Sequence, residues 1–547
     1  MTAPQSAGRE FVIGLDLGTS SAKAIALRAG GWQEAAPPVL ATAASGYTLG
    51  QRSAIASPRP GWAEQEPEAV WQGAAAALRA LLATLQDSAA AQPGQCLGLC
   101  LSGAMHSCFP AAADGAPLSA ALTWADQRAA PIAARLRAQT DAGALYQRTG
   151  CPLQPIYHIA KIRWWVENEP EISRKAARFA ALKDYVLFRL TGIWAADLSI
   201  ASGTGLLDIH HCAWDDEALA LAGIRSEQLS PLVSPLEVIG PLSRQAAHLL
   251  GLPADSGIKV IAGAADGGLA NLGAGAAHAG QSVITVGTSG AVRRIAPQPY
   301  LDAMPETAAE PGQRTWCYLL TEGRWYAGGA INNAGLALQR IRELFYPDLP
   351  PAAGYQQLFA DAGEAAAGAE GVVILPFFAG ERNPYWKADA KASFHGLGLE
   401  HDRRHVARAI LEAVAFRLAT IWQALQPEGA PAEAEPIRLT GAILKSPLWA
   451  QMLCDVLGTP LMAVECGSDQ QAGDASAIGA AMLGQAALGA PPADALPGLA
   501  PAALLDEFAA RIRPGTLWRP DPERHALYRQ LVANFKMKYH QAYDRQP

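Results

Sequence analysis

Two carboxylates set among glycines carry the chemistry open to this chain. Asp16 stands near the end of an apolar run within Phe11 to Ala24, just ahead of Gly18, Thr19, Ser20 and Ser21. Gly14 and Gly18 let the backbone turn sharply and approach a ligand, and the amides and hydroxyls of Thr19, Ser20 and Ser21 can donate to phosphate oxygens. A carboxylate beside phosphates repels them unless a cation stands between, so the arrangement calls for a hydrated Mg²⁺ between Asp16 and a nucleotide. That favours Mg-ATP over a dinucleotide. Neither the G-x-G-x-x-G fingerprint nor the G-x-x-x-x-G-K-[ST] loop occurs in this stretch. Taken alone, the stretch reads equally well as a hairpin with a polar turn.

The second carboxylate is Asp266, delivered by the apolar run from Lys259 into Gly267-Gly268. Its chemistry is that of a general base that takes the proton of an attacking hydroxyl, and an Asp of reference pKa about 3.9 is ionised at neutral pH. The plain alternative is an Asp that caps the helix Leu269 to Gly273. What favours the base is the segment just after it. Ser282 to Val292 repeats the first plan, an alternating apolar strand, a Gly287-Thr288-Ser289 turn and a second apolar strand. Two like cradles imply two like domains, with a nucleotide gripped between them and water excluded when they close.

Other candidates sit at turns. Ser102-Gly103-Ala104-Met105-His106-Ser107 ends a buried strand, where ligands gather in open α/β sheets, and His106 either meets a polyol or carboxylate or is satisfied by local backbone. Trp124, Asp126 and Arg128 combine an aromatic face with opposite charges suited to a sugar; a surface ion pair is the alternative. Asn332 and Asn333 either reach substrate or cap a helix. Lys161 lies in an aromatic-faced helix with Trp164 and Trp165.

The elements that must position these residues alternate. A helical stripe through Val70, Ala74, Leu78, Leu81 and Leu85 is followed by a buried strand at Cys96 to Ser102, which argues an α/β layer fold. At 547 residues the chain is too long for one core. We divide it at 9–275, 276–490 and a connector with a helical tail over 491–547. Half the residues are hydrophobic, 17% are charged and the net charge is −7, so no basic field exists for nucleic acid. No apolar run approaches membrane-spanning length, and the eight cysteines show no C-x-x-C or zinc spacing, which fits a cytoplasmic protein with reduced thiols. Assembly is left open, a homodimer included.

Together these residues resemble the FGGY family of carbohydrate kinases, from about Phe11 to about Leu483. Phe394-x-Gly396-Leu397 followed by His405-Val406 and Ala409 to Glu412 fits the family's second signature, and the Lys161 and Trp164 stretch is similar to the first, with His158 in place of a small hydroxyl residue or proline. The resemblance implies two ribonuclease H-like, actin-like domains with Mg-ATP in the interdomain cleft. It implies that Asp266 is the catalytic base and that Asp16 stands on the metal side. Thr19, Ser20, Lys23, Gly287, Thr288, Gly335, Gly441, Ala442 and Ser446 fall where the family binds nucleotide, with Ala442 replacing a usual glycine and Asp474 a usual glutamate. Met105, His106, Trp124, Asp126, Asp266 and Asn332 are the implied substrate residues. The chain is most similar to the gluconate-phosphorylating branch, so the expected reaction is phosphorylation of a small sugar acid, D-gluconate, at its terminal hydroxyl. A neutral ketose or polyol is the alternative acceptor. The acid would require a cation, with His106, Arg128 and Lys161 as candidates. A non-catalytic nucleotide switch is the reading from another class.

Overall fold

The apolar run at Phe11 forms the centre of a six-stranded sheet. In this computed structural model, which describes residues 10–30, 32, 38–48, 54–88, 91–301, 315–426, 435–464, 475–490 and 498–543, strand β1 (Phe11–Leu17) is buried along its whole length. It pairs antiparallel with β2 (Ser21–Arg28), itself paired with β3 (Val39–Gly46). On its other side it runs parallel to β4 (Cys96–Gly103). The edge strand β5 (Val238–Pro241) then pairs antiparallel with β6 (Lys259–Ala265), which lies parallel to β4, so the order is β5-β6-β4-β1-β2-β3. Strands buried on both faces explain why β1, β4 and β6 read as continuous apolar runs.

Helix α1 (Pro67–Asp87) starts on a proline and buries the predicted stripe. Helices α2 (His158–Asn168) and α3 (Leu182–Thr191) lie within the same half of the chain, α3 ending at Gly192 in the left-handed conformation. Helix α4 begins at Asp266 and runs to Gly273, directly off the end of β6.

A second sheet repeats this plan. Strands β7 (Ser282–Val286), β8 (Gly290–Ala296), β9 (Trp316–Thr321) and β10 (Arg324–Ile331) form antiparallel pairs, while β7, β11 (Ile437–Gly441) and β12 (Leu461–Val464) are parallel. Strand β13 (Pro514–Trp518) closes the edge antiparallel to β12, giving β9-β10-β8-β7-β11-β12-β13. The helices of this half include α5 (Gly335–Phe345), α6 (Arg403–Ala424), α7 (Pro447–Leu457), α8 (Ala475–Ala487) and α9 (Pro522–Tyr543), with two further helices at Pro351–Glu364 and Pro501–Ala510.

Three findings depart from expectation. Gly14 does not approach a ligand: a Cβ there would stand 1.9 Å from the Ala477 carbonyl oxygen, so its bareness admits helix α8. Gly273 and Gly479 permit the same contact from both partners, each with a would-be Cβ 2.0 Å from a facing carbonyl oxygen, of Ala475 and Leu269 respectively. Helix α8 thus packs against β1 and α4 although it belongs in sequence to the second half. The tail supplies an unforeseen strand, β13, and its helix α9 packs on α7, with Tyr528, Val532, Phe535 and Tyr539 in the core of the second half. Asp474, Cys466 and most of the connector before Pro501 lie outside the described residues; the other seven cysteines are free.

Candidate active site

Both cradles form as expected, at matching places in the two sheets. In the first, Asp16 is 8% exposed and its Oδ1 accepts a 2.6 Å hydrogen bond from Ser102 Oγ, the register neighbour on β4. Gly18 N donates to Ser21 O at 3.1 Å and closes the turn. Thr19 is braced by Gln65 Nε2, which donates to its carbonyl at 3.0 Å, and by Trp124 Nε1, 3.4 Å from its hydroxyl. In the second, Thr440 Oγ1 donates to Thr285 Oγ1 at 3.0 Å, and Gly287 N donates to Ser289 O at 2.8 Å. Gly335 N donates to Gly287 O at 2.9 Å, so the start of α5 sits on the turn; a Cβ at Gly335 would stand 2.6 Å from that oxygen. Gly441 has a φ of +100° and passes so close to β7 that its would-be Cβ is 2.4 Å from Val286 O. Gly287, Thr288, Gly335 and Gly441 are therefore brought together. Ala442 is exposed beside them, whereas Ser446 is buried and its hydroxyl accepts from Trp449 N as the cap of α7. Ser20 is exposed at the first turn, and Lys23 faces Asp16 in the β1–β2 register.

Two adjoining cavities open between the halves. The inner one holds about 210 Å³ and takes Met105, His106, Trp124 and Asp266 from the first half, with Arg293 and Arg382 from the second. The outer one holds about 590 Å³, within the usual range of small-molecule sites of roughly 300–1,000 Å³, and includes Thr288 and Ala379. Thr19, Trp124, Ser289, Asn332 and Arg382 line both. The two cavities therefore share part of their wall.

Asp266 is the first residue of α4, and the cap position is Ala265, so the carboxylate is not the helix cap. Its Oδ1 accepts from Gly267 N at 2.6 Å. Burial pushes its carboxyl above the ordinary range, against the pull of the Arg293 guanidinium. His106 is held at a φ of 69°, with Nδ1 2.9 Å from Gly203 O. Burial, reinforced by the charge of Arg382, keeps the ring neutral, so Nδ1–H donates to that carbonyl and Nε2 is left as an acceptor. Asn332 and Asn333 are not caps, since Ala334 holds that position for α5. Asn332 Nδ2 donates to Ala379 O at 3.1 Å, and Asn333 clamps the next turn through Gly380 O and Ala379 N.

The expected partners of an acidic substrate are engaged elsewhere. Arg128 donates to both oxygens of Asp126 and to Glu64, and stacks on Trp62 at 3.5 Å. Asp126 is fully buried and also accepts from Ala63 N at 2.7 Å; the pair is an interior brace, not a surface bridge, and neither residue lines the two cavities. Lys161 is likewise fully buried, its ammonium directed at backbone carbonyls. His158, where the family pattern has a smaller residue, uses Nε2–H to hold Ser107 O at 2.5 Å and is kept neutral by burial.

Two guanidiniums were not foreseen. Arg293 Nη1 is buried without a hydrogen-bond partner, and its Nε lies 3.0 Å from a would-be Cβ on Gly267, over the first turn of α4. Arg382 Nε is also buried and unpartnered. Among the described residues neither guanidinium forms an ion pair, whereas the adjacent Glu381 is bound by Arg417 of α6. Strand alternation was the available signal for Arg293, since Arg293 and Arg294 on one strand must point to opposite faces. Arg382 sits in a Gly-Glu-Arg motif whose cation was not assigned a role.

The donor set at Asp16 fits a hydrated Mg²⁺ held through one carboxylate and nucleotide phosphates, with Asp16 Oδ2 3.8 Å from the would-be Cβ of the bare Gly18. Among the described residues no group of three or more His, Cys, Asp or Glu side chains could hold a metal ion by itself, and no helix is long and apolar enough to cross a membrane.

Residues 11–273 match the N-terminal domain of the FGGY family of carbohydrate kinases and residues 282–488 its C-terminal domain. The chain is 33% identical over 485 residues to a gluconokinase of Bacillus licheniformis, covering 88% of each, and 30% identical over 530 residues to a xylulose kinase of Escherichia coli, covering 97% of this chain and 98% of that one. The crystal structure of gluconate kinase from Lactobacillus acidophilus superposes with a TM-score of 0.84 at 27% identity, over 98% of this chain and 99% of that one. The two sheets are thus a pair of ribonuclease H-like, actin-like domains, and the chain belongs to the FGGY family of carbohydrate kinases, enzymes that transfer a phosphoryl group to an alcohol of a small sugar.

Proposed function

We propose that this kinase phosphorylates the terminal hydroxyl of D-gluconate, with Mg-ATP as donor, to give 6-phospho-D-gluconate. The observation that carries the reading is the pair Arg293 and Arg382, two guanidiniums without ion-pair partners lining the cavity that also holds Asp266. A sugar acid gives these cations an anion at hydrogen-bond distance; a neutral ketose leaves them with only the Asp266 carboxylate beyond ion-pair distance, which costs free energy. The similarity to gluconokinases agrees with this choice.

In the reaction, the acceptor hydroxyl oxygen attacks the γ-phosphorus of ATP, its proton passes to an Asp266 oxygen, and ADP leaves with the electrons of the broken bond. The raised affinity of Asp266 for protons strengthens it as the acceptor of that proton. Thr19, Ser20 and Lys23 on one side and Gly287, Thr288, Gly335, Gly441, Ala442 and Ser446 on the other form the nucleotide side. Asp16 would hold Mg²⁺, which neutralises charge on the phosphates. Trp124 and Asn332 stand between the two cavities and orient the acceptor toward the donor.

The test is coupled ADP release with Mg-ATP against D-gluconate, D-xylulose, L-ribulose, glycerol and erythritol. Gluconate is expected to lead in kcat/KM by about tenfold or more, ~1.4 kcal/mol. Arg293→Gln should raise the gluconate KM by roughly 10–100-fold, in line with the loss of a charge-assisted hydrogen bond, and leave that of a neutral acceptor within about threefold. A lead for xylulose, supported by the similarity to xylulose kinases, would overturn the acid reading and leave the kinase intact.

A further inference from the structure

We propose that Lys161 is a positioning residue for the acceptor, acting through backbone carbonyls, and that its protonation makes acceptor affinity fall as pH rises. The inference rests on the reading of the inner cavity as the acceptor site. It does not depend on which sugar enters.

Lys161 lies one turn into α2, and its side chain is fully buried. Its Nζ donates to His106 O at 2.5 Å, Thr123 O at 2.8 Å and Leu122 O at 3.4 Å. An ammonium has three hydrogens and here meets three carbonyls, so its donors are fully used. Among the described residues no carboxylate lies within salt-bridge distance of it. A buried cation without an anion is costly, which argues that the geometry it enforces matters.

That geometry belongs to the cavity wall. His106 lines the inner cavity and is held in the left-handed region, a conformation uncommon outside glycine although histidine is among the residues that adopt it more readily. The residue after Thr123 is Trp124, which lines both cavities. One ammonium therefore staples two separate loops that present acceptor-facing side chains. His158, one turn earlier on the same helix face, holds the next carbonyl in sequence, Ser107 O, and completes the platform under the turn.

The charge on this staple is conditional. Burial, first, lowers the Lys161 pKa to about 7. The charged groups facing it are the Asp126 carboxylate, which favours its charged form, and the guanidiniums of Arg128 and Arg382, which oppose it; the Cys108 thiol beside it stays uncharged. His106 and His158 are both held neutral by burial, and burial pushes the Cys108 thiol well up. Below about pH 7 Lys161 carries three N–H donors. Above it the amine keeps two and turns a lone pair toward a carbonyl, so one tie on the cavity wall is lost. Asp184, whose carboxyl burial raises to about 7, titrates in the same range and is the competing source of such a change.

The experiment measures KM for the best acceptor and for ATP from about pH 6 to about pH 9, in wild-type enzyme and in Lys161→Met. The wild-type acceptor KM is expected to rise several-fold across that range while the ATP KM stays flat. Lys161→Met should show an acceptor KM about tenfold higher at the acid end, since buried carbonyls lose their donors, and no further rise with pH. A wild-type acceptor KM that stays flat overturns the proposal even if the variant fails to fold. So does a Lys161→Met enzyme with a near-normal acceptor KM, or one that keeps the pH-dependent rise, which would point to Asp184. A change of preferred sugar in the acceptor panel alters the substrate reading and leaves this test unchanged.

Discussion

The two halves of this kinase share a sheet plan but divide the charges of the site between them. The first half contributes the carboxylates, Asp16 and Asp266; the second contributes the free guanidiniums, Arg293 and Arg382. The division is visible at a single repeated position. Two residues before the cradle glycine, the first half has Asp16 bonded to Ser102 on the neighbouring parallel strand, and the second has Thr285 bonded to Thr440. The hydrogen-bonding partner occupies the same register in both cases, so the backbone repeat sets the geometry and the residue at that position decides whether it carries charge. A cradle with a carboxylate suits a cation; a neutral one leaves the phosphates unopposed.

The comparison breaks most severely at Asp266, which has no use if the first half serves only for metal and binding. Asp266→Asn should lower kcat by about 10²–10⁴-fold with ATP affinity nearly unchanged, read by turnover and by equilibrium nucleotide binding. In the wild type, kcat should fall on acidification with a midpoint above the ordinary carboxylate range, because the raised carboxyl must be ionised to accept a proton. Asp16→Thr, which gives the first cradle the residue of the second, should lower turnover by about 100-fold, ~3 kcal/mol of the barrier, and raise the Mg²⁺ concentration needed for half-maximal rate. Retained Mg²⁺ dependence in that variant would mean that charge at this position is not what separates the halves. The smallest effect is expected from Thr285→Val, which removes a neutral hydroxyl pair. A loss of about 1 kcal/mol in unfolding free energy, with turnover within about threefold, would sharpen the contrast.

Where the sequence was legible, a local pattern was sufficient. The cradle strands β1, β2, β7 and β8, the buried strand β4, and Asp266 at the end of β6 each sit in a short apolar run ended by small residues, and such runs specify strand and turn without reference to the rest of the chain. Lys161 and Arg128 are candidate anion partners by type, but their burial is not readable in the sequence: only the packed structure directs one at carbonyls and the other at Asp126. Arg382 was hidden for the converse reason. Its neighbour Glu381 is taken up by Arg417, which lies 36 positions further along the chain, so the sequence does not show that Arg382 is left without it. Gly14 shows the same limit, since nothing in its neighbourhood in sequence announces a helix more than 450 residues away.

That helix bears on how the protein is made. The first sheet is carved, at Gly14 and Gly273, to receive the backbone of α8, and α8 ends at Ala487. Domains commonly fold in the order in which they leave the ribosome. Here the N-terminal half waits with a bare groove until residue 487 has been synthesised, and a fragment cut between the two family domains would leave that groove without its helix. The two halves interlock in space while following one another in sequence, so the first sheet is complete only with a helix from the second half.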